Sequence, residues 1–106
     1  MTPIIQIVQF RLAGISDADY VGHTELVAPR FRQLPGLVSK VWLANADAHT
    51  YGGLYTWHDR AAVEHYRASE TYAQLTSNPR FVELSDREFT ILPNRTQVTA
   101  PAFMAG

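Results

Sequence analysis

The sequence predicts a small α+β domain whose elements follow one another as β-α-β-β-α-β, the ferredoxin-like split βαβ order with a four-stranded antiparallel sheet. Three observations carry that expectation. A run rich in β-branched residues, Ile4 to Leu12, opens the chain. Pro35-Gly36 closes a helical stretch and leads into Leu37-Val38-Ser39-Lys40-Val41-Trp42-Leu43. Tyr51-Gly52-Gly53-Leu54-Tyr55-Thr56-Trp57 then runs into His58-Asp59, a strand followed by a helix cap. These strands are apolar at alternate and intervening positions alike. That pattern suits a sheet covered on both faces, by helices on one and by another subunit on the other.

In the first strand, Ile4, Gln6, Val8, Phe10 and Leu12 share one face and Ile5, Ile7, Gln9 and Arg11 the other. Gly14 ends it. Ser16 is a helix N-cap, with Asp17 and Asp19 in the first turn where they complement the helix dipole. Tyr20, Thr24, Val27, Phe31 and Leu34 recur at helical spacing and form the buried stripe. Pro29 is expected to kink this helix or end it near Ala28.

The second strand runs from Leu37 to about Ala46 and the third from Thr50 to Trp57. The polar stretch Asn45 to His49 joins them as a hairpin. Gly52-Gly53 inside a strand marks a bulge or a close approach by a helix or ligand. Asp59 caps a second helix, Arg60 to about Ala68, and helical structure restarts at Ser69 or Glu70 and runs to about Thr76. Asn78-Pro79 begins a short turn. Arg87 to Leu92 reads as the fourth strand. Residues 1–92 are thus one domain, and residues 93–106 a C-terminal tail with no packed element, able to reach a partner subunit.

The composition narrows the possible partners. The 106 residues are 46% hydrophobic and 18% charged, which describes a folded chain with one core. Nine basic and ten acidic residues are spread without a basic stripe, so neither nucleic acid nor an anionic membrane is an expected partner. The absence of cysteine removes disulfides, thiol nucleophiles and thiolate metal sites. With no signal-like N-terminus and no apolar run of membrane length, a cytoplasmic location is expected. Eight of the nine basic residues are Arg, and Lys40 is the single lysine.

Pro35-Gly36-Leu37, Lys40-Val41-Trp42, Gly52-Gly53-Leu54-Tyr55, Asp59-Arg60-Ala61-Ala62-Val63-Glu64, Tyr66 and Ala68-Ser69 together resemble the dimeric α/β-barrel superfamily that includes the antibiotic-biosynthesis monooxygenases. The chain looks closest to the small YdhR-type monooxygenase-like proteins. The resemblance spans most of residues 4–92 and specifies fold better than chemistry, because the superfamily also holds polyketide cyclases, isomerases and haem degraders. It implies a homodimer with two sheets face to face, closing a dimeric α/β barrel, and a ligand pocket between each sheet and its helices. It also implies oxygenation without flavin, haem or metal. The haem-degrading branch places a ligating histidine late in the second helix, where this chain has Ser69-Glu70-Thr71-Tyr72.

Lys40, between strand residues Val38 and Trp42, is the first candidate catalytic residue: a desolvated lysine has a lowered pKa or holds an anionic oxygen. The alternative is a lysine reaching to a strand edge or pairing with a carboxylate. His65 is the second candidate, as an acid/base on a helix face that also carries Ala61, Ala62, Ser69 and Tyr72. His23, His49, His58 and His65 lack the spacing of a metal site. Trp42, Tyr55, Trp57, Tyr66 and Tyr72, with His23, are candidate substrate-binding residues, since buried Tyr and Trp need hydrogen-bond partners that a flat, oxygenated aromatic ligand could supply. No dinucleotide fingerprint, phosphate loop or nucleophile elbow is present, and no cofactor is expected. Three functions stay open at this point: an oxygenase of an aromatic or polyketide-like substrate, a non-redox cyclase or isomerase, and a non-catalytic small-ligand binder.

Overall fold

The computed structural model describes residues 3–101. Its elements run β1 (Ile4–Leu12), α1 (Asp17–Arg32), β2 (Leu37–Asn45), β3 (Thr50–Trp57), α2 (Arg60–Arg67), α3 (Glu70–Ser77), β4 (Phe81–Thr90) and α4 (Pro93–Thr99). The strands form one sheet in the order β2-β3-β1-β4, and every neighbouring pair is antiparallel. This is the ferredoxin-like arrangement. Helices α1, α2 and α3 lie on one face.

β1 shows why that face is the core. Its burial alternates, with Ile4, Gln6, Val8, Phe10 and Leu12 buried and the intervening residues less so. On this inner face Ile4 and Val8 join Tyr55 and Trp57 of β3, Phe31 of α1, and Ala62, Val63 and Tyr66 of α2. Phe10 and Leu12 join Tyr20 and Tyr51 in a second cluster toward the other end of the sheet. Caps fall at Ser16, Asp59 and Ser69, whose side chains accept from the backbone N–H groups of Asp19, Ala62 and Tyr72.

Three expectations about element boundaries are corrected. Pro29 does not end α1, which continues to Arg32. A proline in mid-helix costs ~3 kcal/mol, but Phe31 lies beyond it and is buried, and burying such a side chain contributes roughly 1.5–3 kcal/mol. Leu34 packs against the same cluster. Second, β4 begins at Phe81 rather than Arg87. Its register against β1 shifts between Gln9 and Arg11, and Glu83 takes a φ of 54°. That bulge breaks the apolar alternation by which a strand is read, so only the segment after it is legible. Third, part of the C-terminal tail is helical: α4 has Pro93 in its first turn and buries no side chain. Residues 102–106 of that tail lie outside the described residues.

The outer face of the sheet carries Ile5, Ile7 and Leu54, half-buried, and Val41 and Phe89, exposed by 53% and 50%. No element of the described chain covers Val41 or Phe89. Among the described residues, no helix is long and apolar enough to cross a membrane.

Candidate active site

A cavity of about 290 Å³ opens between the inner sheet face and helices α1 and α3. Its floor is Val8 and Phe10 of β1, Gly52, Gly53 and Tyr55 of β3, and Lys40 and Trp42 of β2. Along α1 its wall includes Tyr20, His23, Thr24, Arg30 and Phe31. The opposite wall is Thr71, Gln74, Leu75 and Asn78, with Phe81 from β4. The volume is roughly twice the ~150 Å³ of an apolar cavity that holds benzene.

The two glycines make this space in different ways. The β3 register runs through Gly52 and Gly53 without a shift, so they form no bulge. A Cβ at Gly52 would lie 2.1 Å from the Val8 carbonyl oxygen, and one at Gly53 would lie 2.7 Å from Lys40 Cε. Gly52 therefore lets β1 approach, and Gly53 leaves a groove for the lysine stem beside the Tyr55 ring.

That groove carries Lys40 into an aromatic cage. Its Nζ stands 3.3 Å from the Phe31 ring centroid, 3.5 Å from that of Trp42 and 4.7 Å from that of Tyr55. None of the ion pairs among the described residues includes it. Burial without a counter-charge disfavours the ammonium and pushes its pKa down to about 6. The ring faces act in the opposite sense, since each attracts a cation. The amine is thereby brought to a protonation equilibrium close to neutral pH, on the floor of a cavity. It can accept a proton as the free base, and as the ammonium it can hold an anion.

The other anticipated residues divide. Trp42 and Tyr55 line the cavity, and so does His23, on the rim side of α1. Tyr55 offers its ring rather than its hydroxyl, which is 3.1 Å from the Tyr66 hydroxyl; burial raises its pKa well above the ordinary value. Trp57 and Tyr66 are fully buried and do not line the cavity. Tyr72 also lies outside it. The hydrogen-bond partners for which a ligand was anticipated are protein groups: Trp57 Nε1 donates to Gln6 Oε1 at 2.8 Å, and the Tyr72 hydroxyl donates to Asp86 at 2.5 Å.

His65 is exposed on α2 and is not part of the lining. With the cap at Asp59, α2 buries Ala62, Val63 and Tyr66. Helical spacing then leaves Ala61, Glu64 and His65 on the water side.

Behind the cavity a polar network ties α2 and α3 to the sheet. Asp86 of β4 accepts from Gln6 at 3.0 Å, from Tyr72, and from Arg67 Nη2 at 2.7 Å. Arg67 also pairs with Glu88, which accepts from Arg60 at 2.6 Å. Burial raises the Asp86 pKa, but the hydrogen bonds from Arg67, Tyr72 and Gln6 outweigh it and hold the carboxyl below its usual value. Through Gln6 the network fixes the Trp57 indole, which stacks on Tyr55 with ring centroids 5.8 Å apart. Among the described residues, no group of three or more His, Asp or Glu side chains could hold a metal.

Sequence reasoning had placed Phe31 and Thr24 on the α1 stripe but assigned them only to the core. It did not single out Arg30, nor Thr71, Gln74 and Asn78. Only the angle at which α1 and α3 cross the sheet decides which of their residues meet the cavity, and helical spacing does not encode it.

The family model described as "Putative mono-oxygenase ydhR" matches residues 4–102. The chain belongs to this family. No curated protein matches it. Among solved structures, it is similar to the NE2512 protein of unknown function from Nitrosomonas europaea, at 14% identity and a TM-score of 0.71, over 87% of this chain and 91% of that one. An antibiotic biosynthesis monooxygenase, described as putative, from Bordetella bronchiseptica aligns at 14% identity and a TM-score of 0.70, over 87% and 99% of the two chains. SnoaB, a cofactor-independent oxygenase from Streptomyces nogalater, aligns at 17% identity and a TM-score of 0.62, over 86% and 92%. These likenesses are of fold.

Proposed function

We propose that the protein is a cofactor-independent monooxygenase of an aromatic or polyketide-like substrate, acting as a cytoplasmic homodimer. The observation that carries this reading is Lys40, an amine of lowered pKa caged by Phe31, Trp42 and Tyr55 on the floor of the cavity. Family membership and the likeness in fold to SnoaB support it.

Oxygenation without a cofactor needs a substrate that becomes an electron-rich carbanion or phenolate and passes an electron to oxygen. In the proposed reaction the free Lys40 amine takes the acidic proton of an anthrone or hydroquinone-like substrate. The resulting ammonium is held by the ring faces and stabilises the adjacent anion. Trp42 and Tyr55 offer flat surfaces to the substrate rings, with His23 at the rim. The anion and oxygen then combine. For an anthrone, one oxygen atom becomes the new carbonyl and the other leaves as water with the two methylene hydrogens. The apolar part of the lining, Val8, Phe10, Phe31, Leu75 and Phe81, shields one side of the intermediate from water.

The homodimer is supported by the apolar outer sheet face, where Val41 and Phe89 stand exposed on the described chain. Light scattering at micromolar concentration is expected to give twice the chain mass, and a clean monomer mass overturns it.

The chemistry is tested with purified protein free of metal, haem and flavin. Oxygen uptake with an anthrone is expected, with kcat/KM rising with pH through about 6 as the Lys40 amine loses its proton. Lys40→Met is expected to lower turnover by about ten-fold to a thousand-fold. Turnover appearing only after iron or flavin is added, or a Lys40→Met variant with unchanged rates, overturns the reading.

A further inference from the structure

Among the described residues, the Lys40 amine has no carboxylate partner. Three ring faces stand within 4.7 Å of its Nζ. A lysine that serves structure at a sheet edge pairs with an acid or reaches water. Lys40 has no acid partner among the described residues: its half-buried stem lies in the groove that Gly53 leaves open, and its Nζ sits between Phe31 and Trp42. The cavity beside it is apolar along Val8, Phe10 and Leu75, has hydroxyl and amide groups at Thr24, Thr71 and Gln74, and carries His23 and Arg30 on the α1 wall. Such a site combines an unpaired amine, space for a ring and polar groups able to relay protons.

We propose that Lys40 is a carbonyl-capturing residue, whose Nζ condenses with the aldehyde or ketone group of an aromatic ligand in this cavity to form an imine. The amine lone pair attacks the carbonyl carbon, making the C–N bond and a carbinolamine. Two proton transfers follow, the carbonyl oxygen leaves as one water, and the electron pair of the lost N–H bond closes C=N. No oxidant or reductant takes part. The protonated imine draws electrons from the adjacent carbon, so an attached C–H becomes acidic. The chemistry goes beyond oxygenation and does not rest on it.

Reactivity follows the fraction of free amine. At pH 7, roughly one in 2,500 ordinary lysines is unprotonated, whereas burial, which lowers the Lys40 pKa to about 6, leaves a far larger fraction of it as the free base. The chain has a single lysine, so the only other primary amine is its α-amino group.

The experiment uses benzaldehyde with sodium cyanoborohydride at pH 7 under nitrogen, which removes oxygenation from the readout. Intact mass and peptide mapping follow benzylation of Lys40 and of the α-amino group, in the folded protein and in the urea-unfolded chain. Lys40 in the folded protein is expected to react at least about 100-fold faster than in the unfolded chain, saturably in benzaldehyde, while the α-amino group serves as the reference. Lys40→Met is expected to lose the fast adduct. Benzylation confined to the α-amino group, or a folded Lys40 no faster than the unfolded one, overturns the proposal. The folded-to-unfolded comparison is made on the unaltered protein, so it decides the matter even if the variant does not fold.

Discussion

Replacing Lys40 by Met is expected to make the protein more stable, by an amount that shrinks as the pH rises. Burial moves the Lys40 pKa from 10.5 in the unfolded chain to about 6 in the fold. Over that interval the unfolded chain holds a proton that the folded protein lacks, so raising the pH relieves the deficit. Each unit is worth roughly 1.4 kcal/mol. The full deficit applies below pH 6 and is roughly 5 kcal/mol at pH 7. The ring faces favour the ammonium by up to ~2 kcal/mol, and the residual exposure of the side chain lets solvent screen it further. The net gain for Lys40→Met at pH 7 is therefore roughly 2–4 kcal/mol, since methionine keeps most of the stem volume. Urea unfolding of both proteins at pH 7, 8 and 9, at one fixed protein concentration, measures it. The gap is expected to narrow by about 1 kcal/mol per pH unit. Other titrating groups cancel in the difference. A gap that stays constant with pH, or a variant less stable throughout, refutes the argument that Lys40 is held in the cage against its charged form.

Three further outcomes are expected. Gly53→Ala places a Cβ 2.7 Å from Lys40 Cε, the far part of a flexible stem, so the lysine swings out of its groove; turnover is expected to fall with little loss of stability, read by steady-state rates and urea unfolding. Asp86→Ala leaves Arg67, Tyr72 and Gln6 without their shared acceptor and is expected to cost roughly 2–3 kcal/mol at pH 7. Because the Asp86 pKa is lowered in the fold, its contribution is complete above the unfolded carboxyl pKa and lost as pH falls below it, so the two proteins should converge in an acid unfolding series. His65→Ala is expected to leave kcat/KM unchanged, because the side chain is exposed and outside the cavity; a ten-fold loss would restore it as an acid/base.

Much of the fold was legible because local physics and tertiary packing agree. The buried face of β1 could be read from alternation alone, since side chains in a strand have a period of two and only one face meets the helices. The caps at Ser16 and Asp59 could be read because a side-chain acceptor is needed wherever a helix leaves N–H groups unpaired. The order of these elements, together with the Lys40 and Gly52-Gly53 segments, pointed to the family. The start of β4 stayed hidden because a bulge at Glu83 breaks the alternation by which a strand is recognised.

Lys40 was conspicuous in the sequence as a lone lysine among strand residues, but whether it snorkels to water or sits in a cage depends on what lies over the sheet. Only the fold carries Phe31 from α1 to within 3.3 Å of its Nζ and keeps Gly53 bare beneath its stem. The aromatic residues could be counted in the sequence, yet which became lining and which became core was decided by the network around Asp86, which occupies the Trp57 indole and the Tyr72 hydroxyl with protein partners. His65 lost its anticipated place to a rotation of α2 set by the burial of Ala62, Val63 and Tyr66. Chain-local patterns determine which face of each element is apolar. The angle and depth at which those faces meet decide which side chains surround a cavity, and that depends on volumes contributed by residues far apart in sequence.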